Sequence, residues 1–348
     1  MNPRLKKILI GASYPLFYLT VFVLFCVATF PYERLKDRVE AEFNARQPAG
    51  TGTRLAIEDM SGYFISGIEA DNVTMTTPQP ADEDGKAVEP KVVTIEHVHA
   101  RVSLLRLIAG TTHVNFGADA FSGTISGHTS DAGGDRVIEL ELEGVDVGSL
   151  PTVAQAVGLP MTGALTGSVQ LRLPESKLSK AEGKIELTVN DLSVGDGKAK
   201  IRNTIALPKL SAGDLELVAE ALDGRLKVEK LNTKGKDLEL IADGNVRLRD
   251  PFEQSLVEMS MRFSFTDAYK NKNDITRGLF GAPGSSMPGL FDLDPKNKNA
   301  KRPDGFYAWR ITGPFSRIDA DPVSAGGGAR PGNLGLSPAA RGARGFSP

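Results

Sequence analysis

Apolar and polar residues alternate along most of this chain. From Thr53 to about Thr312 the dominant repeat is two residues. It runs through Leu55 and Ile57; Val98, Ala100 and Val102; Ile138, Leu140 and Leu142; Leu165, Val169, Leu171 and Leu173; Ile185, Leu187 and Val189; and Met259, Met261, Phe263 and Phe265. Lys, Glu and Arg fill the positions between. Successive side chains of a strand point to opposite faces, so the pattern predicts one wet and one dry face, as in antiparallel sheet. Leu226, Val228 and Leu231 fall one residue out of step, which predicts a bulge. Asp196-Gly197, Asp223-Gly224 and Asp243-Gly244 have the chemistry of hairpin turns. Gly123 to Gly127 and Gly163 to Gly167 both read G-x-Φ-x-G, where glycine permits a bulge or a close strand approach. No long amphipathic helix supports a βαβ fold.

Two short stretches break the alternation with helical signals. Ser103 to Gly110 has a capping residue, an apolar face and a closing glycine. Ser149 to Gly158 follows the same plan, with Pro151 in its first turn. Pro78 to Pro90 is polar and acidic and reads as a hairpin loop. Thr266 to Pro303 lacks periodicity and reads as an irregular excursion before Phe306 to Ile311.

The N-terminus follows other rules. Ile8 to Phe30 carries no charge and would extend about 34 Å as a helix, enough for a hydrocarbon core of about 30 Å. The run is longer than the apolar core of a signal peptide and has no polar break before Cys26-Val27-Ala28, so an uncleaved transmembrane helix is expected. Bulky Phe25 before Cys26 excludes a lipidation site. Arg4, Lys6 and Lys7 form a short basic end, which places residues 1–7 in the cytosol and exports Pro31 onward. Tyr32, Leu35, Val39 and Phe43 then recur at helical spacing, a juxtamembrane helix that either packs on the domain or meets a partner. The expected organisation is thus residues 1–7 cytoplasmic, 8–30 transmembrane, 31–50 helix and linker, 51–319 a β-rich domain, and 320–348 a disordered Gly/Ala/Pro tail.

Composition narrows the function. The 41 Lys+Arg balance 43 Asp+Glu for a net charge of −2, which argues against a nucleic-acid partner. One cysteine excludes internal disulfides and multi-cysteine zinc sites. His97 and His99 share a strand face, with His113, His128 and Asp119 nearby, yet charged neighbours Glu96 and Arg101 mark a solvated surface. Asp319 and Asp321 are a carboxylate pair of the kind common on strand faces. No nucleophile elbow, P-loop, HExxH or dinucleotide fingerprint occurs. The expectation is therefore no enzyme, with no catalytic, metal-binding or cofactor-binding residues and no cofactor.

The run GASYPLFYLTVFVLFCVATFPYERLKDRVEAEF, and FPYERLKDRV in particular, resembles the N-terminal region of the bacterial type II secretion system protein N family in its long form. SLLRLIAGTTHVNFGADAFSGTISG and GLPMTGALTGSVQL resemble repeats of the wider AsmA-like group. The resemblance spans about Leu5 to Leu173 and carries no catalytic motif. It implies a single-pass bacterial inner-membrane protein with its bulk in the periplasm, assisting protein export through contacts with other secretion-system subunits. AsmA-like kinship implies a curved sheet with an apolar inner face and offers the alternative of lipid handling or outer-membrane biogenesis. The expected fold class is mainly β: an N-terminal transmembrane helix, then an extended, curved antiparallel sheet with short helical inserts. Whether that sheet is an open groove or a closed sandwich stays open, as do the partner subunits, the secreted substrates, any bound lipid and the oligomeric state.

Overall fold

Fourteen strands pair antiparallel into one curved sheet, in nearly the order in which they occur along the chain. The computed structural model describes residues 3–47, 52–78, 89–150, 159–197, 200–201, 205–206, 208–281 and 288–324; in the first helix it describes side chains from Ser13 on, apart from Leu16. The first eight strands are β1 (Arg54–Tyr63), β2 (Gly67–Thr77), β3 (Lys91–Val102), β4 (Thr112–Ala120), β5 (Gly123–Ala132), β6 (Asp135–Asp146), β7 (Met161–Leu173) and β8 (Glu182–Val194). A separate two-stranded pair, β9 (Lys200–Ile201) and β10 (Ile205–Ala206), interrupts the series. The sheet resumes with β11 (Leu210–Leu222), β12 (Arg225–Lys234), β13 (Leu238–Arg247), β14 (Leu256–Phe265), β15 (Tyr307–Pro314) and β16 (Asp319–Pro322). β8 pairs directly with β11, and β1 and β16 are the two edges. The mainly-β expectation holds, as one open sheet. The last strand takes in Ala320 to Pro322, at the start of the stretch expected as tail; 325–348 lie outside the described residues.

Turn chemistry explains some connections and misleads at others. Asp223-Gly224 joins β11 to β12, with Leu222 opposite Arg225 and both turn residues at positive φ, 49° and 71°. That is the twist a two-residue hairpin needs. Asp243-Gly244 does not turn; it lies inside β13, opposite Ser260 and Met259 of β14. A Cβ at Gly244 would collide with the Glu258 carbonyl, so this glycine serves a close strand approach. Asp196-Gly197 follows β8 but leads to β9, not to the sheet neighbour of β8. The expected bulge is present: the β12–β13 register shifts between Val228 and Leu231. Around the Pro78–Pro90 loop, Thr77 pairs with Lys91, while 79–88 lie outside the described residues.

The first helical insert forms as α3 (Leu104–Ile108), closed by Gly110 at φ 83°. Ser103 contributes its carbonyl to Leu107 N–H at 3.0 Å, not a side-chain cap. Of the second insert only Ser149 and Leu150 are described, Ser149 ending a 3-10 turn (Val147–Ser149) in which the Asp146 side chain accepts from Gly148 N–H; 151–158 lie outside the described residues. The excursion from Thr266 is more ordered than its sequence suggests. Among its described residues it holds four short helices, Asp267–Lys270, Asp274–Phe280, Leu290–Leu293 and Pro295–Ala300.

At the N-terminus, α1 (Pro3–Ala28) covers most of the expected span, and α2 (Tyr32–Arg46) follows a 54° bend. Among the described residues no single helix is long and apolar enough to cross a membrane; Ser13–Ala28 and Tyr32–Arg46 pass that test only as a bent pair, by length and composition. The single spanning helix expected over 8–30 is to that extent not borne out.

The core is three clusters along the sheet. Ile57, Met60, Ala70 and Val73 sit under Leu35 and Val39 of α2. Leu173, Ala181, Ala221, Val246, Leu248 and Val257 fill the middle of the C-terminal half. Val147, Leu192, Leu210, Ala212 and Tyr269 form the third, packed by Phe265 and Phe280.

Candidate functional site

Residues directly opposite in an antiparallel pair share a face, so the register can be followed across the whole sheet. One transverse row runs Gly62, Ile68, Ala100, Phe116, Gly127, Leu140, Val169, Ile185, Ala219, Val228, Gly244, Met259, Ile311 and Ala320. The next runs Met60, Ala70, Val98, Ala118, Ile125, Leu142, Gly167, Leu187, Leu217, Leu231, Ala242, Met261, Trp309 and Pro322. Neither row contains a charged residue. At a strand spacing of about 4.8 Å, fourteen strands give each row a length of about 62 Å.

Coverage of this face is uneven. On β3 to β8 every member of both rows is only half-buried. Two cavities, of about 430 and 450 Å³, lie against this half of the sheet. The larger is lined by Phe116 and Ile138 with Thr112, Thr129, Asp131 and Arg136. The other lies between the sheet residues Ile68, Ala100 and Val102 and the helical residues Cys26, Val27, Phe30 and Tyr32. Toward the C-terminus Ala219, Val228, Ala242, Phe263 and Tyr307 are buried. There the four short helices bring an aromatic cluster onto one end of the face. Tyr269 is fully buried, stacks on Phe265 at 5.7 Å and donates its hydroxyl to the Pro208 carbonyl at 2.8 Å. Burial pushes its phenol up to about 12. Phe291 meets Tyr307 edge-on at 4.9 Å, and the Tyr307 hydroxyl donates to Asp292 at 2.7 Å.

One polar atom stands out in the apolar rows. Trp309 Nε1 is buried and finds no acceptor among the described residues. An unpaired indole N–H on an otherwise apolar surface is a costly group that a ligand oxygen would satisfy.

The opposite face carries the histidines. His97 Nδ1 lies 2.7 Å from Asp71 Oδ1, and that hydrogen bond raises its pKa above the usual histidine value. His99 lies against Tyr63 at 4.6 Å, the rings tilted by 32°. The His113 and His128 rings meet at 4.9 Å with their planes tilted by 41°, and burial, then the nearby Arg106 charge, lowers the His113 pKa. Asp119 accepts from Thr124 at 3.0 Å. Among the described residues no group of three or more His, Cys, Asp or Glu is arranged to hold a metal ion. Asp319 and Asp321 are exposed on the short edge strand β16, opposite Thr312 and Arg310.

The two sheet edges differ. Along β1, side chains of α2 one turn apart meet the backbone: Lys36 donates to the Glu58 carbonyl at 3.2 Å, Glu40 accepts from Ile57 N–H at 2.6 Å, and Asn44 both accepts from Leu55 N–H and donates to its carbonyl. Helical spacing in the sequence brings out only the apolar stripe of Tyr32, Leu35, Val39 and Phe43, not this polar one beside it. Arg34, Asp37, Arg38 and Glu42 remain exposed on the far side of α2. The β16 edge is short, carries Pro322 and has the helix Pro295–Ala300 against its strand.

Compared with known proteins, this chain finds no counterpart: no family model, no curated protein and no solved structure matches it.

Proposed function

We propose that this is a membrane-anchored protein of the bacterial envelope that binds lipid acyl chains along the apolar face of its sheet. The observation that supports this most is the pair of unbroken apolar rows left half-buried across β3 to β8. A monomer that leaves so long an apolar surface uncovered signals an interaction site, because isolated exposed apolar residues are ordinary but contiguous ones are not. One leaflet's acyl chain spans about half of a hydrocarbon core of about 30 Å, so a row of about 62 Å has room for several chains. Trp309 Nε1 would meet an ester or carboxylate oxygen. The anchor is α1 with the bend into α2, the bulk of the chain is periplasmic, and the proposal needs no catalytic step and no cofactor.

The test is native mass spectrometry of the full chain extracted in mild detergent, with lipid extraction and quantitation. Co-purifying phospholipid that is lost in a Leu140→Asp, Val169→Asp variant supports the reading. Lipid-free protein, or lipid unchanged in the variant, refutes it.

A second reading is a secretion-system component acting through protein contacts, in line with the resemblance to the type II secretion protein N family. The exposed Arg34, Asp37, Arg38 and Glu42 face of α2 favours it, since the apolar side of that helix is already occupied by β1. Loss of secretion in an Arg34→Glu, Arg38→Glu strain that still accumulates folded protein would select this reading. The two readings differ on deletion: lipid handling gives envelope-permeability defects even where no substrate is secreted.

A further inference from the structure

The end of the sheet nearest α1 carries an apolar surface that the acyl-binding proposal does not use. α3 has five residues, and its four apolar side chains all face solvent: Leu105 is 84% and Ile108 85% exposed, with Leu104 and Leu107 about half exposed. Arg106, the one polar residue of α3, reaches back to the sheet, its Nη1 2.7 Å from His113 Nδ1. A guanidinium can only donate, so His113 accepts there and pins the helix with its apolar side outward. The β1–β2 turn lies at the same end, because β1 and β3 run toward it and β2 and β4 away. Its tip is Phe64 and Ile65, 66% and 57% exposed. Phe64 is held at φ 54°, a conformation seldom adopted by a bulky side chain.

Charge and position both indicate what covers this surface. Arg101 lies over the Phe64 ring at 5.4 Å, and Arg106 lies within α3. Neither Phe64–Gly67 nor Val102–Thr112 contains an acidic residue. Apolar tips flanked by arginine, without carboxylates, complement an anionic headgroup layer. The same turn meets the end of the apolar helix: Cys26, Val27 and Phe30 line one cavity with Ile65 and Ile68.

We propose that the β1–β2 turn and α3 insert into the membrane interface beside α1, with an anionic lipid bilayer as their partner. Leu105, Ile108, Phe64 and Ile65 enter the headgroup–acyl boundary, and Arg101 and Arg106 meet phosphate. The cavity between Phe30 and Ile68 then faces the bilayer, near the end of the row that runs Gly62, Ile68, Ala100, Phe116. This deepens the proposal above and rests on its anchored α1, but not on acyl binding along the sheet.

The test uses the full chain with Cys26→Ser as background, reconstituted into phosphatidylethanolamine and phosphatidylglycerol vesicles that carry acyl-brominated phosphatidylcholine. Single cysteines at Leu105, Ile108, Phe22 and Leu293 are labelled with an environment-sensitive fluorophore, and circular dichroism checks each variant's fold. The expected result is blue-shifted, bromine-quenched emission at 105 and 108, deeper quenching at 22 and none at 293, with less quenching at 105 and 108 when phosphatidylglycerol is omitted. Aqueous emission at 105 and 108 with quenching at 22 overturns the seating alone. Aqueous emission at all positions overturns the anchor as well. Concentration-dependent burial of 105 and 108 in lipid-free detergent would assign the surface to a second copy of the chain and also overturn the proposal. Phospholipid retained by native mass spectrometry reports acyl binding independently of every one of these outcomes.

Discussion

The Glu40 carboxylate accepts the backbone N–H of Ile57 at 2.6 Å, a side chain of α2 completing the hydrogen bonding of an edge strand. With Lys36 and Asn44 one turn to either side, it occupies the outward groups of β1 that another strand would otherwise pair with. Glu40→Ala should cost about 1–2 kcal/mol, and Asn44→Ala somewhat less, since each leaves a strand group without its protein partner. Urea unfolding measures the loss, and size-exclusion chromatography should show self-association of the double variant. An unchanged midpoint with monomeric protein would mean that α2 does not protect the edge.

The uneven cover of the apolar face predicts an uneven response to charge. Val257 is buried in the C-terminal half, whereas Val169 on β7 is only half-buried. Val257→Asp places a carboxylate where it must be desolvated or protonated, at a cost of several kcal/mol. Val169→Asp should cost clearly less. Equal losses in urea unfolding would mean that the face is covered throughout.

Trp309→Phe removes the unpaired indole N–H and keeps the aromatic contact with Phe263. In lipid-free protein the change should be neutral or stabilising, because no protein hydrogen bond is lost. In protein carrying lipid it should lower retention. A fall in the melting temperature of lipid-free protein of several degrees would show that the indole already has a partner.

His113 makes the stability of the fold depend on pH. Burial and Arg106 hold its folded pKa below the ordinary value, so below about pH 6.5 the unfolded chain binds the extra proton first and stability falls. The groups facing it are Arg106 of α3, His128 of β5, Asn115 of its own strand and Glu139 of β6. His97 acts oppositely: its raised pKa stabilises at low pH, and that contribution fades as pH rises through its folded value. His113→Gln should therefore remove part of the acid-side loss, and His97→Gln should deepen it. Thermal melts from neutral to mildly acidic pH read both, and parallel curves for wild type and His113→Gln would reject the assignment.

Gly244 tests a point of backbone geometry. Its φ of 152° and the nearby Glu258 carbonyl leave no room for a Cβ, so Gly244→Ala should cost about 1–3 kcal/mol. Asp243→Asn, beside it on the wet face, should cost almost nothing. Equal effects in denaturant melts would contradict the close approach.

Much of the sheet was legible because period-two alternation is a local signal. Ile138, Leu140 and Leu142 do face one side of β6, with Leu171, Val169 and Gly167 opposite them on β7. The bulge at Val228 and Leu231 was legible for the same reason. Asp243-Gly244 was not, since a glycine that turns and a glycine that lets strands approach read alike. The order of Asp267 to Ala300 was hidden because its stabilising contacts are distant: Tyr269 depends on Pro208, and Tyr307 on Asp292. The face itself could be written down from sequence, but not its openness, which depends on whether a second layer covers it.

The pairing of strands with their sequence neighbours makes this sheet a ruler. Each hairpin contributes about 9.6 Å, twice the strand spacing, to both rows, and deleting or duplicating one in register would change the reach of the apolar face while leaving its chemical character intact. The reach of that face is then set by a count of hairpins, a quantity that insertion and deletion can adjust in whole steps.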